Sequence, residues 1–189
     1  MSQKPVIGVL ALQGAVQPHQ PHIEAAGGMF KAVKTPGEIA SVDGFILPGG
    51  ESTTMLKLID TFDLWDDLKK AFGEKPVWGI CAGSILMAET VTNPSQKCFG
   101  LIPMVVERNA YGRQLESHHG TVAEYPVSFI RAPVIHTANP DVETLAQEDG
   151  HPVWVQYGKY MATTFHPELT RDYPSPMHQA FMTIVKKSI

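Results

Sequence analysis

The sequence predicts an α/β fold, namely a three-layer, open, doubly wound and mostly parallel sheet with some antiparallel strands in the C-terminal half. Up to residue 90, strand-like and helix-like segments alternate with short links, as in doubly wound sheets. The first strand-like run, VIGVLAL at residues 6–12, is almost wholly apolar, which is typical of a strand covered on both faces. After Asn93, short strand-like runs are separated by Pro, Gly or Asn, which indicates some antiparallel pairing.

The individual elements follow from hydrophobic periodicity and from turn residues. The first half predicts strands at residues 6–12, 29–33, 44–47 and 77–80. It predicts helices over residues 15–26, from Ser52 with Ser or Thr as N-cap, over 64–72 and from Ala82, with a turn around Pro36. The second half predicts strands at residues 99–106, 114–123, 127–130, 134–136, 154–156 and 160–164, and a closing helix over 176–187.

Length and composition predict one domain over residues 1–189. A chain of 189 residues with 43% hydrophobic and 18% charged residues can bury a sizeable core. We find no internal repeat and no low-complexity linker that would divide it.

Charge and motif content exclude several classes of function. The net charge of −4 gives no basic surface for nucleic acid. No apolar run approaches the ~20 residues of a membrane span, and the N-terminal apolar run leads into a glycine turn rather than a signal-peptide cleavage site. The two cysteines, Cys81 and Cys98, form no disulfide framework or metal motif, and no nucleotide fingerprint occurs. We therefore expect a cytoplasmic protein without a metal or cofactor.

The stretch PVWGICAGSILMAE at residues 76–89 contains a candidate nucleophile. Gly79-x-Cys81-x-Gly83 has the layout of a nucleophile elbow, a sharp strand-to-helix turn in which flanking glycines permit close backbone approach. At a helix N-terminus the thiolate form is favoured. The alternative is that Cys81 is a small buried apolar residue, and on this stretch alone the two interpretations have similar weight.

A thiol nucleophile needs a base and a group that orients the base. His166 and Glu168 lie two residues apart, so in an extended segment both side chains point to one face, and Pro167 disfavours helix. The carboxylate could then hold one imidazole nitrogen while the other faces the sulfur. The alternative is a surface histidine, and the competing pair at residues 118–119 (HH) lies in a polar stretch that predicts a solvated turn.

Acyl transfer also requires hydrogen-bond donors for the oxyanion. The loop Pro48-Gly49-Gly50 follows a predicted strand, and glycine allows its amides to turn toward a ligand. The amide of Ala82, directly after the nucleophile, would be the second donor. A phosphate-binding loop is the rival interpretation, but the G-K-[ST] ending is missing.

Taken together, these motifs resemble class I glutamine amidotransferase domains. The stretches are GICAG at 79–83, PGGES at 48–52 and FHPE at 165–168. Further stretches closely resemble the glutaminase subunits of pyridoxal 5′-phosphate synthases: LALQG at 10–14, GGESTT at 49–54, VERNAYGRQ at 106–114, IRAP at 130–133 and TFHPELT at 164–170. The resemblance covers nearly the whole chain and implies a flavodoxin-like version of the predicted fold.

The resemblance implies hydrolysis of L-glutamine to glutamate and ammonia, with ammonia passed to a (β/α)8-barrel synthase subunit. It assigns Cys81 as nucleophile, His166 as general base and acid, and Glu168 as orienting residue. The implied substrate-binding residues are Gly50, Glu51, Ser52, Arg108, Ile130, Arg131 and Gln13, and the implied oxyanion positions are Gly50 and Ala82. For the arginines, a weak surface ion pair is the alternative that the residues alone favour.

Three other functions remain possible. The chain could be a glutaminase subunit for anthranilate or imidazole glycerol phosphate synthesis, a non-catalytic scaffold of the same fold, or a cysteine peptidase or chaperone-like protein. The sequence also departs from the family after LALQG, where Pro18 and Pro21 occupy a segment that is usually an unbroken helix. Two prolines at this spacing predict a broken or displaced helix and altered contact with a partner.

Overall fold

The computed structural model describes residues 4–110 and 117–189. Its strands are β1 (Val6–Leu10), β2 (Met29–Val33), β3 (Gly44–Leu47), β4 (Val77–Ile80), β5 (Ala88–Thr92), β6 (Ile102–Glu107), β7 (His118–Val122), β8 (Tyr125–Phe129), β9 (Val134–His136), β10 (Glu143–Glu148), β11 (His151–Tyr157) and β12 (Tyr160–Thr163). Its helices are α1 (His19–Ala25), α2 (Pro36–Ala40), α3 (Ser52–Thr61), α4 (Trp65–Glu74), α5 (Ala82–Met87) and α6 (Pro176–Ser188), with a 3₁₀ turn at Pro167–Leu169.

Seven of these strands form the main sheet, in the order β10-β11-β12-β4-β3-β1-β2. The five strands from β12 to β2 are parallel, whereas β10 and β11 extend the sheet by antiparallel pairing. A smaller sheet, β5-β6-β9, and the hairpin β7-β8 complete the described strands. The predicted fold class, mostly parallel with antiparallel strands in the C-terminal half, is confirmed.

Two hydrophobic cores cover opposite faces of the main sheet. In β4, Val77 packs in the core with α3, α4 and α5, whereas its neighbour Trp78 packs in the core with α1 and α6. Successive strand residues point to opposite faces, so a strand covered on both faces must be apolar throughout. This three-layer packing leaves the carboxyl ends of β1, β3, β4 and β12 along one edge, which is where ligands bind in such sheets.

Two predictions for the first half of the chain, a turn and a helix cap, were wrong in detail. The predicted turn around Pro36 is the helix α2, which begins with a capping box between Thr35 and Glu38. Helix α3 is capped by the Glu51 carboxylate, which accepts from the amides of Thr53 and Thr54, rather than by a Ser or Thr. Each correction reflects a side chain that bonds to nearby backbone amides.

The helix predicted over residues 15–26 is shorter than expected. Helix α1 begins at His19, with Pro18 at its N-cap and Pro21 in its first turn. The amides of a first helical turn have no intrahelical acceptor, so proline is tolerated there. The two prolines therefore displace the helix start without breaking the helix.

Two strands were missing from the prediction. Strand β10 (ETLAQE) is largely exposed and lies at the sheet edge, so it carries no apolar signal. Strand β5 directly follows α5, where the sequence pattern predicted that the helix continued. The strand predicted over 114–123 begins outside the described residues, and its described part is β7.

Within residues 4–110 and 117–189, no helix is long and apolar enough to cross a membrane. The same residues contain no cluster of three or more His, Cys, Asp or Glu side chains arranged to hold a metal ion.

Candidate active site

Cys81 lies at a sharp turn between β4 and α5, where its backbone adopts φ 50° and ψ −103°. Its amide donates to the carbonyl of Thr163 at 2.8 Å, which holds the turn against the neighbouring strand β12. A Cβ on Gly79 would lie 2.5 Å from the Gly83 carbonyl oxygen, and one on Gly83 would overlap the carbonyl of Leu47. The turn therefore has the strained backbone and the close glycine packing of a nucleophile elbow.

His166 reaches the same place from the adjacent strand. β12 pairs in parallel with β4, in a register that sets Thr163 beside Ile80, so both chains leave the sheet at one edge. The His166 amide then donates to the Ser128 carbonyl at 2.8 Å, and its side chain is largely buried. The elbow thiol lies 3.8 Å from the carbonyl oxygen of Ile130, to which it can donate, and it also interacts with the His166 ring.

Glu168 completes this cluster. Its Oε1 lies 2.7 Å from Nδ1 of His166, and its side chain is 0% exposed. The sequence predicts an extended segment here, but Pro167 instead begins a 3₁₀ turn. Proline is tolerated at this first position because its missing amide proton would have no hydrogen-bond acceptor there. The tight turn, rather than strand alternation, brings the imidazole and the carboxylate together.

Burial and charge act in opposite directions on this pair. Burial lowers the pKa of His166, but the Cys81 thiol and the Glu168 carboxylate outweigh it and raise that pKa well above its ordinary value. Burial raises the pKa of Glu168, but the hydrogen bond from His166 and the charge of the His166 imidazolium lower it below its ordinary value. The site therefore favours an imidazolium held by a carboxylate.

These shifts predict how stability depends on pH. The raised pKa of His166 stabilises the fold below about pH 6.5, and this contribution is lost as pH rises through the folded-state pKa. The lowered pKa of Glu168 stabilises the fold above about pH 4.5, and this contribution is lost as pH falls. We expect Glu168→Gln to lower the melting temperature most between about pH 4.5 and 6.5. If the difference in melting temperature between the wild type and Glu168→Gln, measured by calorimetry, widened steadily above about pH 8, the pairing of Glu168 with the His166 imidazolium would be contradicted.

A pocket of about 110 Å³ opens beside the thiol. Its lining contains eight residues assigned from the sequence to catalysis, substrate or oxyanion: Gly50, Glu51, Ser52, Cys81, Ala82, Arg108, Ile130 and Arg131. The remaining predicted substrate residue, Gln13, lies behind the loop, where its Oε1 accepts from the Glu51 amide at 2.8 Å. Gln13 therefore shapes the loop that lines the pocket.

Charges of both signs line this pocket. The guanidinium of Arg108 lies 3.6 Å from the Glu51 carboxylate, and its side chain is only 13% exposed. Burial raises the pKa of Glu51, but hydrogen bonds from Thr53 and Thr54 outweigh it and lower that pKa to about 2. A fixed cation and a fixed anion side by side are complementary to a zwitterionic amino acid.

The Gly49-Gly50 peptide is oriented by the turn after β1. The Gly49 carbonyl accepts from the Ala15 amide at 3.0 Å, so in a trans peptide the Gly50 N–H points away from that turn. On the other side of the loop, a Cβ on Gly49 would overlap the His166 ring. The loop therefore packs directly against the imidazole.

Three other pocket residues, Ile85, Asn109 and Pro133, were not assigned from the sequence. Asn109 lies directly after Arg108 within VERNAYGRQ, and its side-chain amide donates to the Asn93 carbonyl at 2.9 Å. The one feature of the sequence that could have pointed to Asn109 as a pocket residue is its position next to Arg108. The last four residues of that motif, 111–114, lie outside the described residues.

Comparison with known sequences identifies the family of the chain. The sequence model of the SNO glutamine amidotransferase family matches residues 9–187. A pyridoxal 5′-phosphate synthase subunit PdxT from Solibacter usitatus is 44% identical, over 94% of this chain and 97% of that relative. The PdxT subunit of Shouchella clausii is 47% identical, over 95% of this chain and 94% of that relative.

Solved structures show the same fold. A crystal structure of a glutamine amidotransferase superposes with a TM-score of 0.85 at 36% identity, over 95% of this chain and 98% of that one. A glutamine amidotransferase from Thermotoga maritima superposes with a TM-score of 0.54 at 14% identity, over 100% of this chain and 97% of that one, and shows the fold alone. With a family model matching nearly its whole length, the chain belongs to the SNO glutamine amidotransferase family.

Proposed function

We propose that this chain is the glutaminase subunit of a pyridoxal 5′-phosphate synthase, and that it hydrolyses L-glutamine through Cys81, His166 and Glu168. The observation that carries the proposal is that the Cys81 thiol, the buried His166 imidazole and the Glu168 carboxylate come together. They do so beside a pocket lined by both a positive and a negative side chain. The site uses residues from both halves of the chain, which supports one domain over residues 1–189. Two free thiols fit the cytoplasm, where we place the protein.

Substrate binding uses the charged wall of the pocket. Arg108 holds the α-carboxylate of glutamine, and the Glu51 carboxylate holds the α-ammonium group, so the side-chain amide reaches Cys81. Arg131 and Ile130 also line the pocket, and Ser52 contributes a hydroxyl. Gln13 keeps Gly50 and Glu51 in place through its bond to the Glu51 amide.

The reaction then proceeds in two acyl-transfer steps. The His166 imidazolium already holds the proton of the Cys81 thiol, and the Cys81 sulfur attacks the amide carbon of the substrate side chain. The amides of Gly50 and Ala82 stabilise the oxyanion. The imidazolium returns the proton to the departing ammonia, which leaves a glutamyl thioester.

Water completes the cycle. His166 removes a proton from water, which attacks the thioester carbonyl, and the thiol is released with glutamate. Glu168 holds Nδ1–H of the imidazole throughout, so that Nε2 is the atom that exchanges protons with sulfur, ammonia and water.

Ammonia must then reach a synthase subunit, which we propose is a (β/α)8 barrel. In bulk water ammonia becomes mostly ammonium, which is not a nucleophile, so docking has to seal the site. We expect the isolated chain to release glutamate slowly and the synthase subunit to stimulate it. The test measures glutamate from glutamine with and without that subunit. Equal rates of glutamate release with and without the synthase subunit would contradict the proposal that this subunit is the partner. Stimulation only by an anthranilate or imidazole glycerol phosphate synthase would favour a glutaminase subunit that serves one of those pathways.

The glycine loop provides a second test. Gly49→Ala places a methyl group inside the His166 ring volume, so the imidazole must move away from the sulfur. We expect kcat to fall about 100-fold, the cost of misplacing a catalytic group by about 1 Å. Gly37→Ala is the matched control, because nothing lies within 4 Å of its added Cβ. Wild-type kcat in Gly49→Ala would show that the ring position is not fixed by this contact.

A further inference from the structure

Three histidines, two from α1 and one from α6, form a buried cluster directly behind the candidate active site. His19 and His22 of α1 are each 0% exposed, and His178 of α6 is 2% exposed. His19 Nδ1 lies 2.9 Å from His178 Nε2, and the rings of His22 and His178 stack with centroids 4.3 Å apart. The Ser175 hydroxyl lies 2.7 Å from His178 Nδ1. The proposed mechanism uses none of these groups.

The hydrogen bonds fix the proton on each ring. The Ser175 oxygen already accepts from the backbone amide of His178, and among the described residues its proton reaches no acceptor but His178 Nδ1. His178 therefore carries its own proton on Nε2 and donates it to His19 Nδ1. A neutral His19 that accepts at Nδ1 carries its proton on Nε2.

Electrostatics keep these rings neutral. Burial lowers the pKa of His19 to about 4, although the Glu168 carboxylate opposes this effect, and His22 and His166 add to it. Burial also lowers the pKa of His178 well below its ordinary value. The neutral tautomers assigned above are therefore the forms present at neutral pH.

Two atoms at the end of this chain of bonds remain without a protein partner. His19 Nε2 and Glu168 Oε2 are both buried, and neither hydrogen-bonds to another described residue. Pro18, which precedes His19, lines the same surface pocket as Glu168. A donor with no acceptor and an acceptor with no donor are thus held on adjacent segments, and leaving either unpaired would be costly.

We infer that His19 is a positioning residue of the glutaminase site: its Nε2–H is linked to Glu168 Oε2 across a bridging water. The Ser175–His178–His19 chain thereby sets the rotation of the Glu168 carboxylate. With Oε2 held, Oε1 points at His166 Nδ1, and the imidazole keeps Nε2 toward the sulfur. This inference rests on the proposed function, because it assigns His19 a role in that same site.

The test compares two polar replacements of His19 in the complex with the synthase subunit. Glutamine can place an amide N–H where Nε2 lies, whereas asparagine is too short to reach the bridging water. We expect His19→Asn to lower kcat by about 10- to 100-fold, the range that loss of outer-shell partners causes at metal sites, with little change in KM. His19→Gln keeps most of the wild-type kcat.

A second measurement does not depend on glutamine turnover. The rate at which iodoacetamide alkylates Cys81, followed against pH, reports how strongly Glu168 supports the His166 imidazolium. We expect His19→Asn to shift this profile to higher pH and His19→Gln to leave it near that of the wild type. If the wild-type chain does not hydrolyse glutamine, the proposed function fails, but the alkylation contrast still decides the role of His19.

His22→Asn is the matched control, since it removes a buried histidine of the same helix and cluster. His22 Nε2 bonds to the Thr170 carbonyl and its Nδ1 accepts from the Ser175 amide, so it orders backbone groups rather than the Glu168 carboxylate. We expect His22→Asn to lower the melting temperature but to keep kcat and the alkylation profile. Equal losses in His19→Asn and His22→Asn, or equal activity in the two His19 variants, would overturn the inference.

Discussion

Cys81→Ala should abolish glutamine hydrolysis while leaving the fold intact. The sulfur is the only protein group in the proposed mechanism that forms a covalent bond to the substrate, so no other residue replaces it. We expect kcat in the synthase complex to fall by about 10⁴–10⁶-fold, the range found for members of a serine protease triad. Glutamate release and a melting curve, measured on the same preparation, give activity and folding together.

The second cysteine supplies the control. Cys98 is half-buried, its thiol bonds to the Glu89 carbonyl at 3.5 Å, and it does not line the pocket beside Cys81. Cys98→Ala should keep wild-type turnover and should still lose it when treated with iodoacetamide. If Cys81→Ala hydrolysed glutamine at close to the wild-type rate, Cys81 would not be the nucleophile, and a scaffold role for the chain would be favoured.

The sequence could predict that Cys81 and His166 lie close together, because each follows a strand of the parallel sheet. In a parallel sheet, residues that directly follow neighbouring strands come together, so Cys81 after β4 and His166 after β12 meet although they lie far apart in the chain. Local motifs supplied the rest of the candidate triad, since His166 and Glu168 need only one turn to contact each other.

Tertiary contacts explain what sequence could not predict. The sequence alone assigns no catalytic role to His19, His22 or His178. Their importance comes from α1 and α6 packing side by side, which joins positions whose contact no local pattern encodes. The charge pair of Glu51 and Arg108 is similar, because it depends on how α3 and the end of β6 meet.

Some predictions of the fold were wrong for the same reason, namely that tertiary contacts decide the local structure. Strand β10 is an exposed edge strand, whose pairing with β11 comes from the neighbouring backbone rather than from its own side chains. The capping of α3 by Glu51 was also missed, although that residue was assigned to the substrate. One carboxylate serves both the helix start and the pocket, and a local pattern shows only one role.

Glu168→Gln should cause the second largest loss of activity. The amide is nearly the same size as the carboxylate, so packing at this 0% exposed position is kept. The amide carries no charge to support the imidazolium, and its NH₂ group can donate to Nδ1, which would leave the proton on Nε2, the atom that must accept from the thiol. We expect kcat to fall about 10⁴-fold, as for the corresponding change in a serine protease triad.

The pH dependence separates this explanation from simple destabilisation. Without the carboxylate, the raised pKa of His166 falls toward its ordinary value, so the alkylation profile of Cys81 should change strongly in Glu168→Gln. Glu143→Gln, in the exposed edge strand β10, is a control for the loss of one negative charge and should keep both turnover and profile. A Glu168→Gln variant that folds, turns over glutamine normally and shows the wild-type profile would mean that Glu168 does not orient His166. In that case the carboxylate would serve only to balance charge in the buried cluster.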